Sequence, residues 1–243
     1  MADIKVNART VVALETSAAF GSVAVVTDEG LRLETCVSVP QGHCESLLPM
    51  LQGLLTETGT ELPSVHAFAV SLGPGSFTAL RIGLSTAKAL SMSTGKPLVG
   101  VGTLDALSHN VAGLCSHVCP IIDARRREVF YALYRDRTGQ QERLTEYCAA
   151  SPEQAVAHVS RLLGESEGGG ALFLGDGVPL CREFIEREIA RPVFPASHLG
   201  IPRASSVGML ALGLLEQNRV ADIETLEPIY VRRSDAELRR RRT

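Results

Sequence analysis

Four short stretches carry residue types and spacings that could do chemistry. The first, Ser71-Leu-Gly73-Pro74-Gly75-Ser76-Phe77-Thr78-Ala79-Leu80-Arg81-Ile82-Gly83, sets a glycine-rich turn between a run that reads as buried strand and a run that reads as helix. Backbone N–H groups at such a helix start can accept an anion, and the helix dipole adds to the attraction. Neither a Gly-Lys-Ser/Thr string nor a GxGxxG is present, so Gly73 and Gly75 fit a ligand-free tight turn as well as a phosphate site. Glu15-Thr16-Ser17 closes the first strand-like run just before a turn containing Gly21. An acid followed by hydroxyls at that junction suits either a phosphate-binding hairpin or a solvated turn. Gly175-Asp176-Gly177 could hold a metal or a ribose, and it equally suits a strand-to-helix connection with Asp176 near the cap. Cys115-Ser116-His117-Val118-Cys119 is the one metal-like cluster, and two thiols with one imidazole are too few for a closed structural zinc site. We therefore expect no metal site.

Nucleophilic catalysis has no visible basis. No Gly-x-Ser-x-Gly elbow occurs, and none of the six histidines has a sequence partner suggesting a triad. Glu15, Asp105, Asp123 and Asp176 lie on separate predicted elements, so no carboxylate pair is asserted. No catalytic residue is assigned.

The elements that must position these residues follow from hydrophobic period. Residues 10–16, 21–27 and 31–39 read as strands, the last after the turn Asp28-Glu29-Gly30. Residues 42–58 switch to helical spacing, with Pro49 forcing the helix either to begin near it or to bend. Strand 65–72, helix 77–93, strand 97–101 and helix 103–111 complete a βββαβαβα order, which implies a mixed sheet with helices on its faces. Beyond it we expect strands at 118–123, 128–135 and 141–148, helix 152–163, strand 171–174, and helices 178–190 and 205–216. The expected organisation is an α/β subdomain over residues 1–112, a second over 113–204, and a returning helix with an arginine-rich tail over 205–243.

Length and composition are those of a globular protein of one to two domains: 243 residues, 45% hydrophobic and 21% charged. A net charge of −3 gives no global basic field for nucleic acid, yet the arginines include the run Arg239 to Arg242. No stretch of about 18 apolar residues occurs, so no membrane span is expected. The N-terminus lacks a signal-like apolar segment, and six scattered cysteines do not form a disulfide framework, so a cytoplasmic location is expected.

Two predicted helices carry more apolar surface than one sheet requires. Cys44, Leu47, Leu48, Met50, Leu51, Leu54 and Leu55 crowd the first, just after His43, and Ala79, Gly83 and Ala87 recur every four residues along the second. Such a small-residue groove permits close helix approach. We expect a partner interface at His43, Leu47, Leu51, Leu54, Ala79, Gly83 and Ala87, although packing on the chain's own sheet explains the same pattern.

Taken together, Ala13-Leu-Glu15-Thr16-Ser17, Gly73-Pro-Gly-Ser-Phe-Thr78, Leu80-Arg81-Ile-Gly83, Lys96-Pro-Leu-Val-Gly100-Val and Leu226-Glu-Pro-Ile-Tyr230 resemble the TsaB (YeaZ) family of tRNA threonylcarbamoyladenosine biosynthesis proteins. The likeness is dense over residues 11–110 and thin over 140–205; Ala79 stands where the family usually carries glycine. The resemblance implies an actin-like ATPase fold of the sugar kinase/Hsp70, ribonuclease H-like type, with two related α/β subdomains. It also implies a non-catalytic relative of TsaD, the subunit that transfers threonylcarbamoyl to adenosine 37 of tRNA. In TsaD the strand matching 96–101 leads into a His-x-x-x-His metal motif. Here that place reads Gly102-Thr103-Leu104-Asp105-Ala106-Leu107, and His109 stands alone beyond it. The expectation is an accessory subunit that binds TsaD, acts with TsaE, forms a homodimer when TsaD is absent, and meets tRNA indirectly or through its arginine tail. No cofactor is required by this chain on that reading. Glu15, Thr16, Ser17, Gly73, Gly75 and Asp176 remain the candidates should a nucleotide bind at the interface of the complex. The alternative is an independent ATP-dependent phosphotransferase or a metalloprotease of the same fold; the first needs a second phosphate motif, and the second needs the missing histidines.

Overall fold

The computed structural model describes residues 8–39, 44–164 and 170–231. In chain order it holds β1 (Thr10–Glu15), β2 (Phe20–Thr27), β3 (Gly30–Ser38), α1 (Leu47–Thr58), β4 (Ala67–Gly73), α2 (Phe77–Thr94), β5 (Leu98–Gly102), α3 (Thr103–His109), β6 (His117–Arg125), β7 (Glu128–Tyr131), β8 (Tyr134–Arg137), β9 (Gln140–Arg143), β10 (Cys148–Ala150), α4 (Pro152–Gly164), β11 (Gly170–Leu174), α5 (Val178–Glu188), β12 (Arg191–Val193) and α6 (Ala204–Glu216). The chain divides into two units. Residues 1–72, 78–102 and 203–228 form the first, and 73–77, 103–202 and 229–243 form the second. The division falls at Gly102 rather than at the expected 112/113, because α3 packs its Leu104 and Leu107 into the second core with Val118, Ile122 and Leu174. Likewise the chain returns to the first unit at Arg203, the residue before α6.

In the first unit the sheet order is β3-β2-β1-β4-β5. β1 is antiparallel to β2, with Glu15 opposite Ser22, and parallel to β4, with Leu14 opposite Val70. Residues 11–15 of β1 are all buried because helices cover the sheet, which is why the strand reads as a continuous apolar run. α6 lies close over β1, its Gly208 against the side chains of Val26 and Ala13. α1 packs on β2 and β3 through Leu47, Leu51 and Leu54. It starts at Leu47 and ends at Gly59, whose φ of +61° is the left-handed conformation glycine adopts most readily. Pro49 therefore falls in the first turn, where its missing N–H has no intrahelical partner to lose, and the helix needs no bend.

The second unit repeats the plan. Its principal order, β10-β7-β6-β11-β12, again places the antiparallel strands on one side of a central strand and the parallel strands on the other. β6 is antiparallel to β7 and parallel to β11, as β1 is to β2 and β4. Val156, Val159 and Leu163 of α4 and Cys181 and Ile185 of α5 close one face; α3 closes the other. This duplicated α/β plan is the actin-like fold. Two expected strands differ in detail. The run 128–135 breaks into β7 and β8, and β8 leaves β7 to pair with the start of β6 and with β9. The run 141–148 likewise splits into β9 and β10. The apolar run from Val129 to Tyr134 continues unbroken through the first of these breaks, so period does not reveal a strand changing partners there.

Candidate functional site

At the carboxyl end of β1, Glu15 is fully buried. One carboxyl oxygen accepts the Ser17 N–H. Its Oε2 and the Ser17 and Ser71 hydroxyls are buried with no hydrogen-bond partner among the described residues. Burial pushes the Glu15 pKa up, opposed by the Ser17 and Ser71 groups beside it. The pairing partner of Glu15, Ser22, accepts the Ala204 N–H at 2.8 Å, which satisfies one of the N-terminal donors of α6. Nearby on β3, Glu34 accepts the Ser205 N–H (3.1 Å) and hydroxyl (3.0 Å) and pairs with Arg203 (3.1 Å). Thr16 turns to the other side and donates to the Ala79 carbonyl at 2.8 Å. The Glu15-Thr16-Ser17 turn is thus buried, with the Thr16 hydroxyl and one Glu15 oxygen engaged by the chain and the other Glu15 oxygen and the Ser17 hydroxyl left without a partner among the described residues.

Gly73 has a φ of +107°, open to glycine at little cost, and the Gly73–Pro74 peptide is cis. Phe77 packs its ring against Tyr230 with centroids 5.1 Å apart, so the glycine-rich string meets the Leu226–Tyr230 string. Gly73 and Gly75 belong to the second unit, and Glu15 to the first.

Gly175-Asp176-Gly177 is built into the sheet. A side chain at Gly175 would strike the Ile121 carbonyl, and one at Gly177 would strike the backbone at Ile122 and Asp123. Asp176 accepts the Asp123 N–H at 2.9 Å, and burial raises its pKa. At the start of α5 the Gly177, Val178 and Leu180 N–H groups are taken by Ile121, Gly175 and Gly177 carbonyls, and Pro179 has none. These donors are spent on the fold, so the geometry favours the connection over the ribose or metal reading.

The window 102–107 is equally committed. Thr103, Leu104, Ala106 and Leu107 are buried, and Asp105 accepts the hydroxyls of Tyr134 and Tyr147, both at 2.6 Å. Arg143 completes the cluster, 3.4 Å from Asp105 and stacked over the Tyr147 ring at 4.2 Å. Burial together with the Asp105 charge lifts both tyrosine pKa values. Sequence reasoning missed this cluster because its members are separated by some forty residues of chain. Among the described residues, no group of three or more His, Cys, Asp or Glu converges to hold a metal. His117 and Cys119 are buried within β6.

The expected interface residues need correcting. Leu47, Leu51, Leu54, Ala79 and Ala87 are buried within the chain, and a side chain at Gly83 would strike Thr16. The small-residue groove is internal packing, because the stripe that repeats every three or four residues is the one facing the sheet. His43 lies outside the described residues, as does the arginine tail from 232. The same helices present other apolar residues outward: Leu48 is 57% exposed and Met92 71%.

The fold is an actin-like α/β fold with two related units, and comparisons with known proteins give the family. The family model for TsaD, tRNA N6-adenosine threonylcarbamoyltransferase, matches residues 38–240. The TsaB proteins of Escherichia coli and Bacillus subtilis, named as tRNA threonylcarbamoyladenosine biosynthesis proteins, are each 29% identical to it. The alignments cover 93% and 94% of this chain and 96% of either relative. The crystal structure of YeaZ from Pseudomonas aeruginosa superposes with a TM-score of 0.78 at 28% identity, covering 91% of this chain and 99% of that one. The chain belongs to the TsaD family, in its TsaB (YeaZ) branch, and so to tRNA threonylcarbamoyladenosine biosynthesis. No helix among the described residues is long and apolar enough to cross a membrane.

Proposed function

We propose that the chain is the non-catalytic accessory subunit of a cytoplasmic tRNA threonylcarbamoyltransferase. It binds TsaD directly and, with TsaE, supports transfer of threonylcarbamoyl from threonylcarbamoyl-AMP to adenosine 37. The observation that carries this reading is the 102–107 window of a chain matched by the TsaD family model. Where the resemblance places metal-binding histidines, this chain has buried Thr103, Leu104, Ala106 and Leu107, with the Asp105 carboxylate held by Tyr134 and Tyr147. A metalloprotease would need the same missing imidazoles. A phosphotransferase would need free donors at the second phosphate position, whereas those at the start of α5 are engaged. The chain needs no cofactor of its own. Outward residues of α1 and α2, Leu48 near the start of the first and Met92 near the end of the second among them, form the surface for TsaD, and two copies of the chain use the same surface when TsaD is absent. Mixing the chain with TsaD and measuring complex mass tests this directly. A heterodimer that forms at the expense of the homodimer is expected; two species that never combine would overturn the reading.

A further inference from the structure

The β6–β7 connection has a backbone that its sequence does not favour. Arg125 pairs with Glu128 across the ladder, which leaves Arg126 and Arg127 as the two central residues of a hairpin turn. Their φ values are +54° and +61°, and Arg125 itself stands at +62°. Positive φ at both central positions defines the turn that prefers Asn-Gly, because a Cβ there crowds the backbone. Each non-glycine residue so held carries a backbone cost that glycine would not. Asp123 fixes the entry by accepting the Arg125 N–H at 2.7 Å, and the register shifts between these two residues. All three arginines are exposed. Arg125 keeps 84% of its side chain in solvent even though its guanidinium lies 3.3 Å from Asp123, a pairing worth little at that exposure.

We propose that this hairpin is an RNA contact: Arg125, Arg126 and Arg127 present their guanidinium groups to the phosphodiester backbone of a tRNA. The inference rests on the tRNA-modifying role of the family and adds a residue-level contact that neither the family match nor the sequence motifs assign. The chemistry fits a phosphate chain. Guanidinium forks pair with phosphate oxygens two bonds at a time. The hairpin fixes their roots, which lowers the entropy lost on binding. Asp123 and Glu128 flank the turn and offset part of its charge, so a contact of a few phosphates is expected rather than a deep basic groove.

The test uses the full chain and a labelled tRNA transcript, titrated over about 50 to 200 mM salt. The variant R126N/R127G installs the turn-favoured pair, so it keeps or raises the melting temperature while removing two charges. It should bind tRNA about tenfold more weakly at the low-salt end, and its slope of log affinity against log salt should fall by about 1.5. R126K/R127K should retain most of the parent's affinity. A parent that binds no tRNA, or an R126N/R127G variant with unchanged affinity and slope, overturns the proposal. The accessory role is read separately, as stimulation of threonylcarbamoyl transfer by TsaD. A parent that stimulates transfer while the R126N/R127G variant binds tRNA normally would refute the hairpin contact alone.

Discussion

Glu15 and Gly83 show what single residues contribute. Glu15 keeps a carboxyl in a fully buried site, and its folded-state pKa is raised, chiefly by burial. The folded chain therefore holds its proton to higher pH than the unfolded chain does. The stability this contributes is complete below the ordinary glutamate range and is lost as pH rises through the raised value. Glu15→Gln keeps an oxygen for the Ser17 N–H and removes the titration. Its melting temperature should match the parent near pH 4 and exceed it increasingly toward pH 8. A difference that stays constant with pH would mean that Glu15 does not titrate on folding. Gly83 faces Thr16 with no room for a side chain. Gly83→Ala should cost about 1–3 kcal/mol by overpacking, and Gly83→Leu should leave little folded protein in a thermal melt. A Gly83→Leu chain that melts like the parent would contradict the internal placement of this face.

At the scale of elements, α6 is anchored at its start by two strands of the first sheet. Ser22 takes the Ala204 N–H, while Glu34, with its side chain 6% exposed, takes Ser205 and pairs with Arg203. Glu34→Ala strands these donors and should cost about 2 kcal/mol, seen as a lowered melting temperature that Glu34→Gln only partly restores. Equal stability of Glu34→Ala and parent would show that packing alone holds α6. Most elements were legible from period: the βββαβα order of the first unit, α4, α5 and α6 all lie where apolar spacing puts them. The β6–β7 turn was not, because its Arg-Arg centre lacks the Asn-Gly signal that marks such turns. The candidate site was half legible. Glu15-Thr16-Ser17 stands at the end of the central strand, as its composition suggests. The inward stripe of α1 and α2 does not declare its direction in the sequence, because small or apolar residues at helical spacing look alike whether they meet a sheet or a partner. The outward residues carry their own prediction. Leu48→Glu or Met92→Glu should leave the melting temperature within about 1 °C, as exposed substitutions do. Each should weaken the complex with TsaD, read as a smaller heterodimer fraction by light scattering. Full heterodimer formation by both variants would move the interface off these helices.

Across the whole molecule, two copies of one α/β plan have diverged at equivalent turns. The first ends its central strand in a buried carboxyl and hydroxyls, and the second in three exposed arginines held at positive φ. The second places a tyrosine-held aspartate in the window after β5 that the family resemblance assigns to metal ligands in TsaD. This division of labour predicts a protein that acts only through its partner. The direct measurement is threonylcarbamoyl transfer to tRNA from threonylcarbamoyl-AMP, assayed with the chain alone, with TsaD alone, and with both in the presence of TsaE and ATP. The expected result is no transfer by the chain alone and a rate with both proteins well above that of TsaD alone. Transfer by the chain without TsaD, or a TsaD rate that the chain leaves unchanged, would contradict the account.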